Sequence, residues 1–226
     1  MVRELADGLY LLRGFPRNAI NAYLVGDVLV DARTKWAGRR ILSELRGHTV
    51  VAHALTHAHP DHQGASKTVC EALQVPLWCG EGDIPAAESG DIAAFQPDRL
   101  INRINHRLMS GPGHSVDRPL HEGDDVAGFQ VLETPGHSLG HVVFWRESDR
   151  TLIAGDVLNN VNLRTGMPGL HEPPIAFTPD PPRNRTSARR LAELEPALVC
   201  FGHGAPLRDT ARFVDFIARI PEDPAS

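Results

Sequence analysis

Residues 55–66, LTHAHPDHQGAS, place His57, His59, Asp61 and His62 within six positions. A solvated loop has no need of three imidazoles and a carboxylate so close together, whereas imidazole nitrogen and carboxylate oxygen are the ordinary ligands of a divalent metal ion. The residues leading into the cluster, TVVAHALTH at 49–57, are apolar and β-branched enough for a buried strand. Pro60 disfavours helix at His59, and helical character resumes from Gln63 to Leu73. The cluster therefore occupies a strand-to-helix loop, where α/β proteins carry functional groups.

Outward from this loop the chain alternates strands and helices. Residues 1–14 read as a first strand, and 20–31 as a hairpin about Gly26-Asp27. The following stretch sets Trp36, Ile41, Leu42 and Leu45 at helical spacing and stops at Gly47. After a strand at 75–80, residues 81–118 mix Gly, Pro and Asp with one amphipathic piece, DRLINRINHRLM. That segment is too short to close a core of its own and reads as an inserted, lid-like element. Strands return at 129–136, 140–147 and 150–156, with a turn at Ser148-Asp149. A helix over about 183–194, a strand at 197–204 and an amphipathic helix at 209–220 opened by Asp209 complete the pattern. The succession implies one layered α/β domain over residues 1–226.

Composition narrows the function classes. The chain has 226 residues, 42% hydrophobic and 23% charged, which is a globular balance. A net charge of −5 offers no basic face for a nucleic acid, so a small-molecule substrate is the expected partner. No apolar run approaches the roughly 18 residues of a membrane span, and the first residues lack the pattern of an export signal. Cys70, Cys79 and Cys200 form an odd set without CxxC spacing, which fits small buried residues in a reducing cytoplasm. Twelve histidines beside two tyrosines and three tryptophans is the excess to be explained.

Three further strand ends terminate in ligand-type residues: His137 in TPGHS, Asp156 in LIAGD and His203 in CFGHG. Each follows a glycine, which lets the backbone turn sharply toward a shared point. Singly, His137 or His203 reads as a core or loop histidine, Asp61 as a helix cap and Asp156 as a turn residue. Those separate readings do not make all seven fall at the same end of alternating elements. Five imidazoles and two carboxylates suffice for two metal ions. Two such ions about 3.5–4 Å apart can hold a water as hydroxide near neutral pH and polarise a carbonyl or phosphoryl group. Of the other histidines, His48 and His53 read as surface or packing residues, His106, His114 and His121 belong to or follow the insertion, and His141 suits a supporting role behind the ligands.

The sequence resembles the metallo-β-lactamase superfamily. Its HxHxDH signature is matched by His57, His59, Asp61 and His62, and its later positions by His137, Asp156 and His203 in order. The resemblance implies a four-layer αββα sandwich, two mixed sheets flanked by helices, with the metal site at one edge. It also implies that His57, His59 and His137 bind one metal, Asp61, His62 and His203 the second, and that Asp156 bridges them. The expected cofactors are two divalent ions, zinc first, with iron or manganese as alternatives.

An acidic residue at Asp156 is similar to glyoxalase II-type thioesterases, lactonases and phosphodiesterases of the superfamily, whereas its true β-lactamases lack one. Glyoxalase II-type enzymes carry a helical carboxy-terminal extension, and here 23 residues follow His203. Lactonases of the superfamily set a tyrosine after the bridging aspartate, but this chain has only Tyr10 and Tyr23. The transfer-RNA-processing nucleases bear a substrate arm with no counterpart here. The expectation is a hydrolase of a small ester, thioester or lactone, in which Asp61 orients the attacking hydroxide and accepts its proton. Asn159, Asn160, Arg164 and His171 are the candidate substrate contacts. A phosphodiesterase is one alternative. The other is a persulfide dioxygenase with one iron on His57, His137 and Asp156, a two-histidine, one-carboxylate set suited to Fe(II). Apolar residues on the 81–118 segment suit a homodimer contact.

Overall fold

Alternating apolar residues build two sheets that share one interior. The structure, a computed structural model, describes residues 2–221. Met1 and residues 222–226, the ends of the range read from the sequence, lie outside them. The first sheet runs β1 (Arg3–Ala6), β2 (Leu9–Leu11), β3 (Tyr23–Val25), β4 (Val28–Val30), β5 (Ala52–Ala54), β6 (Leu77–Gly80) and β7 (Arg118–Leu120) in spatial order. β1 to β4 are an antiparallel meander, and β4 to β7 pair in parallel. The parallel steps are bridged by α1 (Gly38–Glu44), by α2 (Pro60–Gln63) with α3 (Ser66–Leu73), and by α4 (Ile84–Ser89) with α5 (Leu100–Met109).

The second sheet contains β8 (Asp125–Val126), β9 (Phe129–Glu133), β10 (Val142–Arg146) and β11 (Thr151–Gly155). A separate ribbon, β12 (Asn159–Val161) and β13 (Pro168–His171), leads to α6 (Pro181–Glu193), then β14 (Leu198–Phe201) and α7 (Thr210–Ala218). β14 pairs with β11 in parallel, giving the order β14-β11-β10-β9-β8.

Strand alternation divides the core into layers. Val142, Phe144 and Ile153 point between the sheets and meet Leu9, Tyr23, Val30 and Ala54. Their neighbours Val143, Trp145 and Leu152 point outward to Leu191 of α6 and Phe213 and Ile217 of α7. On the far side Leu24 and Leu29 pack against Ile41 of α1 and Val69 of α3. The order is helix, sheet, sheet, helix. Fully burying a side chain such as Phe144 contributes roughly 1.5–3 kcal/mol, and the inter-sheet layer holds several of them.

Several elements differ from the sequence reading. The first strand is a hairpin, β1 and β2, with Gly8 at positive φ in the turn. Trp36 lies ahead of α1 rather than in it, 78% exposed, its indole N–H donating to Leu108 O. Ile41 and Leu45 are buried as the spacing predicts. β5 covers three residues instead of nine, and past Leu55 the backbone bonds to side chains: Thr56 N–H donates to Asp31 and Ala58 N–H to Asp83. The 81–118 segment carries α4 and α5 rather than being mostly irregular, and α4 buries Ala86 and Ala87 beside Leu77 and Cys79. The three cysteines are buried and free. Asp209 caps α7 by accepting from Arg212 N–H at 2.9 Å, and Asp180 caps α6 through Arg183. Among the described residues no helix is long and apolar enough to cross a membrane.

Candidate metal centre

Sheet topology delivers the seven residues to one edge. β11 and β14 are parallel neighbours, so Asp156 and His203 leave their carboxyl ends side by side. β9 runs in the same sense two strands away, and the loop after it carries His137. The other sheet supplies His57, His59, Asp61 and His62 after β5. Val142 N–H donates to Thr56 O at 2.8 Å and Asn21 N–H to Gly202 O at 2.8 Å, stitching the sheets together beside the cluster. Two glycines are needed for close approach. Gly155 has φ +50°, and a Cβ there would meet the His141 ring at 2.7 Å; a Cβ on Gly202 would lie 2.0 Å from Asp156 Oδ1.

Four imidazoles are tied at Nδ1, leaving Nε2 directed inward. His62 Nδ1 donates to Asp31 Oδ2 at 2.8 Å. His57 Nδ1 lies 3.0 Å from the Thr56 hydroxyl, which itself donates to Asp31 Oδ2 at 2.9 Å. His137 Nδ1 is 3.1 Å from Thr178 Oγ1, whose hydroxyl donates to Pro174 O. His203 Nδ1 is 2.6 Å from Ala19 O. Such outer hydrogen bonds fix the tautomer and ring plane of a ligating histidine. His141 has a supporting role: its Nδ1 meets Thr134 Oγ1 at 2.8 Å and its Nε2 accepts from Asp156 N–H at 3.1 Å.

The inward atoms form three overlapping groups, each within 4.8 Å: His57, His59 and His137; Asp61, His62 and His203; and His57, His62 and Asp156. Asp156 Oδ2 lies 3.6 Å from His137 Nε2 and 3.2 Å from His203 Nε2, while Oδ1 is 3.7 Å from His62 Nε2. Asp61 Oδ2 is 3.2 Å from His203 Nε2.

Electrostatics and hydrogen bonding both fit a cation. Burial holds His57 and His137 well below the ordinary imidazole value and His59 at about 4, so these rings are neutral donors. Burial opposes charge on His62 and His203 too, but Asp31 and Asp156 raise His62 to about 9, and Asp156 with Asp61 raises His203 well above its usual value. Burial likewise opposes ionisation of Asp61 and Asp156, and the facing imidazoles nonetheless hold both well below the usual carboxylate range. The field that retains protons here is one that attracts a metal ion. Nε2 of His57, His62 and His137 and Oδ1 of Asp156 are buried with no hydrogen-bond partner. Buried polar atoms without partners are rare, and shared cations satisfy all four.

His59, Asp61, His137, Asp156 and His203 form the floor of a cavity of about 940 Å³. Its outer walls come from α5, the β12–β13 ribbon and residues 172–178. Of the four candidate substrate contacts, Asn159, Arg164 and His171 line it. Asn160 is directed elsewhere: strand alternation turns it to the opposite face of β12, where its amide donates to Ala205 O at 2.7 Å.

Two residues with a clear part in the site were missed from sequence. Asp31 supports His62 directly and His57 through Thr56; the only signal was an acid ending the apolar run VLV. Asp83 accepts from Ala58 N–H, Ser138 hydroxyl and Gly140 N–H at 2.7–2.8 Å, joining the loops that carry His59 and His137. Burial raises its pKa, and those three donors act against the rise.

The comparisons with known proteins agree with this geometry. The probable metallo-hydrolase YflN of Bacillus subtilis (strain 168) is 30% identical over 200 residues, 80% of this chain and 76% of that protein. The hydroxyacylglutathione hydrolase of Rhodospirillum rubrum is 36% identical over 120 residues, 51% of this chain but 37% of the relative. The crystal structure of TTHA1623 in a di-iron-bound form is 31% identical, covers 97% of both chains and superposes with a TM-score of 0.62. The family model described as the Metallo-beta-lactamase superfamily matches residues 16–203. On this match and these relatives, the chain belongs to the metallo-β-lactamase superfamily.

Proposed function

We propose that this enzyme hydrolyses a small ester, thioester or lactone using two divalent cations, zinc in the first instance. His57, His59 and His137 would hold one, Asp61, His62 and His203 the other, with Asp156 between them. The observation that carries the reading is the pair of three-residue groups, each with its ligand atoms within 4.8 Å, on either side of a carboxylate that faces both. Bound there, the cations supply an acidified water as nucleophile and Lewis-acid polarisation of the scissile carbonyl.

The chain's own residues provide the alignment. Asp31, Thr178 and Ala19 O fix the ring planes of His62, His137 and His203 with Nε2 directed toward the centre. Asp61, its side chain 20% exposed toward the cavity, orients the attacking water and accepts its proton. The wall from α5 and residues 172–178 borders the approach to the floor.

Iron in place of zinc is the second reading for the metals, because TTHA1623, 31% identical, has been solved di-iron-bound. The test is metal quantification on the purified protein, followed by a panel of ester, thioester, lactone and phosphodiester substrates. Two metals per chain, loss of turnover on chelation and recovery on adding zinc or iron are expected. One iron per chain with oxygen uptake on a persulfide, and no turnover of the panel, would overturn the hydrolase reading in favour of a dioxygenase. Turnover of the phosphodiester alone would replace the carboxylic ester with a phosphoryl substrate.

A further inference from the structure

The cavity above the metal centre has a polar recess and an apolar mouth. In the recess Asn159 is 1% exposed, and neither its Nδ2 nor its Oδ1 has a hydrogen-bond partner. Asn184 is 2% exposed; its Nδ2 donates to Val157 O at 3.0 Å and its Oδ1 is unpaired. Both residues border the same cavity as His137 and Asp156, their unpaired amide atoms lying just beneath its surface. Buried amides without partners are uncommon, and two in one cavity call for a ligand group that both donates and accepts. The unpaired atom of Asn184 is an acceptor, so the matching group carries an O–H or N–H; a carboxylate, which only accepts, does not serve.

At the mouth, Ile101, Leu163 and Ile175 line the cavity while remaining 44%, 41% and 66% exposed. Half-buried Phe177, Val161 and Met109 continue the apolar surface inward. Large exposed apolar residues gathered at a cavity mouth mark a ligand-binding surface. Charge is sparse. Outside the metal cluster the charged lining residues are Arg164, Glu172 and Arg185, and Arg185 Nε donates to Glu172 Oε1 at 2.7 Å. A polyanionic or tripeptide-conjugated substrate would meet one further cation, Arg164, at an exposed position. The volume, about 940 Å³, is at the upper end of the roughly 300–1,000 Å³ of small-molecule sites.

We propose that the substrate is a neutral ester or thioester whose acyl part has an apolar chain of medium length, seated along Ile101, Leu163, Ile175 and Phe177, with a hydroxyl or carboxamide held by Asn159 and Asn184. This rests on the hydrolase reading above. In the reaction the water oxygen bonds to the acyl carbon as the C–O or C–S bond breaks. One water proton goes to the departing alkoxide or thiolate, giving a carboxylic acid and an alcohol or thiol.

The test uses the metal-quantified enzyme and unbranched acyl 4-nitrophenyl esters from acetate to decanoate. The same acyl groups are also presented as thioesters of glutathione and of neutral N-acetylcysteamine. The expected kcat/KM rises at least tenfold from acetate to octanoate, with the glutathione thioester no better than the neutral one. Ile175→Asp, at a 66% exposed position that the fold does not need, lowers the octanoate-to-acetate ratio at least fivefold. Asn159→Ala raises the Kd of octanamide, measured by calorimetry, at least fivefold. A flat chain-length profile, or a tenfold preference for the glutathione conjugate, overturns the proposal. If no ester or thioester is turned over, octanamide binding separates the two readings. Binding that Ile175→Asp and Asn159→Ala weaken keeps the cavity assignment and removes ester and thioester hydrolysis, and absence of binding overturns the cavity assignment itself.

Discussion

At the floor of the cavity four imidazoles are each tied at Nδ1 to a second protein group, whereas the outer wall is attached at a few points. Asp31 alone takes hydrogen bonds from Thr56 N–H, the Thr56 hydroxyl and His62, and Asp83 takes three from two ligand loops. On the wall, α5 is held by Asn102 donating to Pro97 O and Ala176 O, and by Lys35 and Trp36 donating to carbonyls near its end. Atoms that share a cation must sit within tenths of an ångström of ideal positions, and the two carboxylates that support the cluster, Asp31 and Asp83, are buried and multiply bonded. An apolar chain asks only for surface of roughly the right shape. Substitutions should therefore be costly at the floor and cheap on the wall, and the size of the effect should follow the number of ligand-supporting contacts disturbed.

The largest effect is expected from Gly202→Ala. Its Cβ would lie 2.0 Å from Asp156 Oδ1 and 2.6 Å from His62 Cε1, two buried ligand-type side chains. Bound metal falls below one per chain and hydrolysis drops more than about 100-fold, in line with misplacement of catalytic groups by an ångström. A variant retaining the parent's metal content and activity would refute the close packing on which the floor is argued. Asp31→Asn comes next. Asp31 has φ +61°, a conformation that Asn adopts as readily, so the backbone is preserved while the negative charge facing His62 is lost. Outer-shell changes of this kind typically cost 10–100-fold in metal affinity, and chelator competition on the variant measures it. Unchanged affinity would mean that Asp31 supports only the backbone of Thr56.

How much of this was legible in the sequence follows from what each residue does. The seven cluster residues stand out because Asp and His at successive strand ends have few structural reasons to recur, and the sheet topology brings them together. Asp31 does not stand out, because an acid after an apolar strand is also an ordinary turn residue. Asp83 bonds across 25 to 57 positions of sequence, a relation that no local pattern carries. Asn159 and Asn160 were read alike, but adjacent strand residues face opposite ways, and the sequence does not say which face meets the cavity. Trp36 matched a helical spacing, yet the chain enters α1 only at Gly38, after Arg33 at positive φ and a turn from Thr34 to Ala37.

Asp83→Asn tests the floor at one remove from the ligands. The carboxylate accepts from Ala58 N–H and Ser138 hydroxyl on Oδ2 and from Gly140 N–H on Oδ1. An amide must turn its own N–H₂ toward at least one of these donors, leaving it unpaired in a buried place at about 1–3 kcal/mol. Thermal unfolding should fall by several degrees, since 1 kcal/mol moves Tm by roughly 2–4 °C in a chain of this size. Because the loops of His59 and His137 are loosened together, kcat/KM falls by about threefold to tenfold with the metals retained. A fall in Tm with no change in kcat/KM would assign Asp83 to stability alone.

Gly166→Ala provides the comparison on the wall and the smallest effect. Gly166 has φ +74°, and a Cβ there would meet nothing within 4 Å, so the change introduces backbone strain without a clash. A left-handed conformation costs an L-residue roughly 1–2 kcal/mol. Replacing glycine also removes unfolded-state freedom, which returns about 0.4–1 kcal/mol. The balance is about 1 kcal/mol or less, a Tm lowered by no more than roughly 2–4 °C. Gly166 does not line the cavity, so metal content and kcat/KM should match the parent enzyme. Gly202→Ala and Gly166→Ala make the same chemical change at two glycines, one against two ligand-type side chains and one against open space. If the second variant lost metal as the first should, the wall would be coupled to the floor as tightly as the floor is to itself. The separation between chemistry and recognition argued from the hydrogen bonds would then fail.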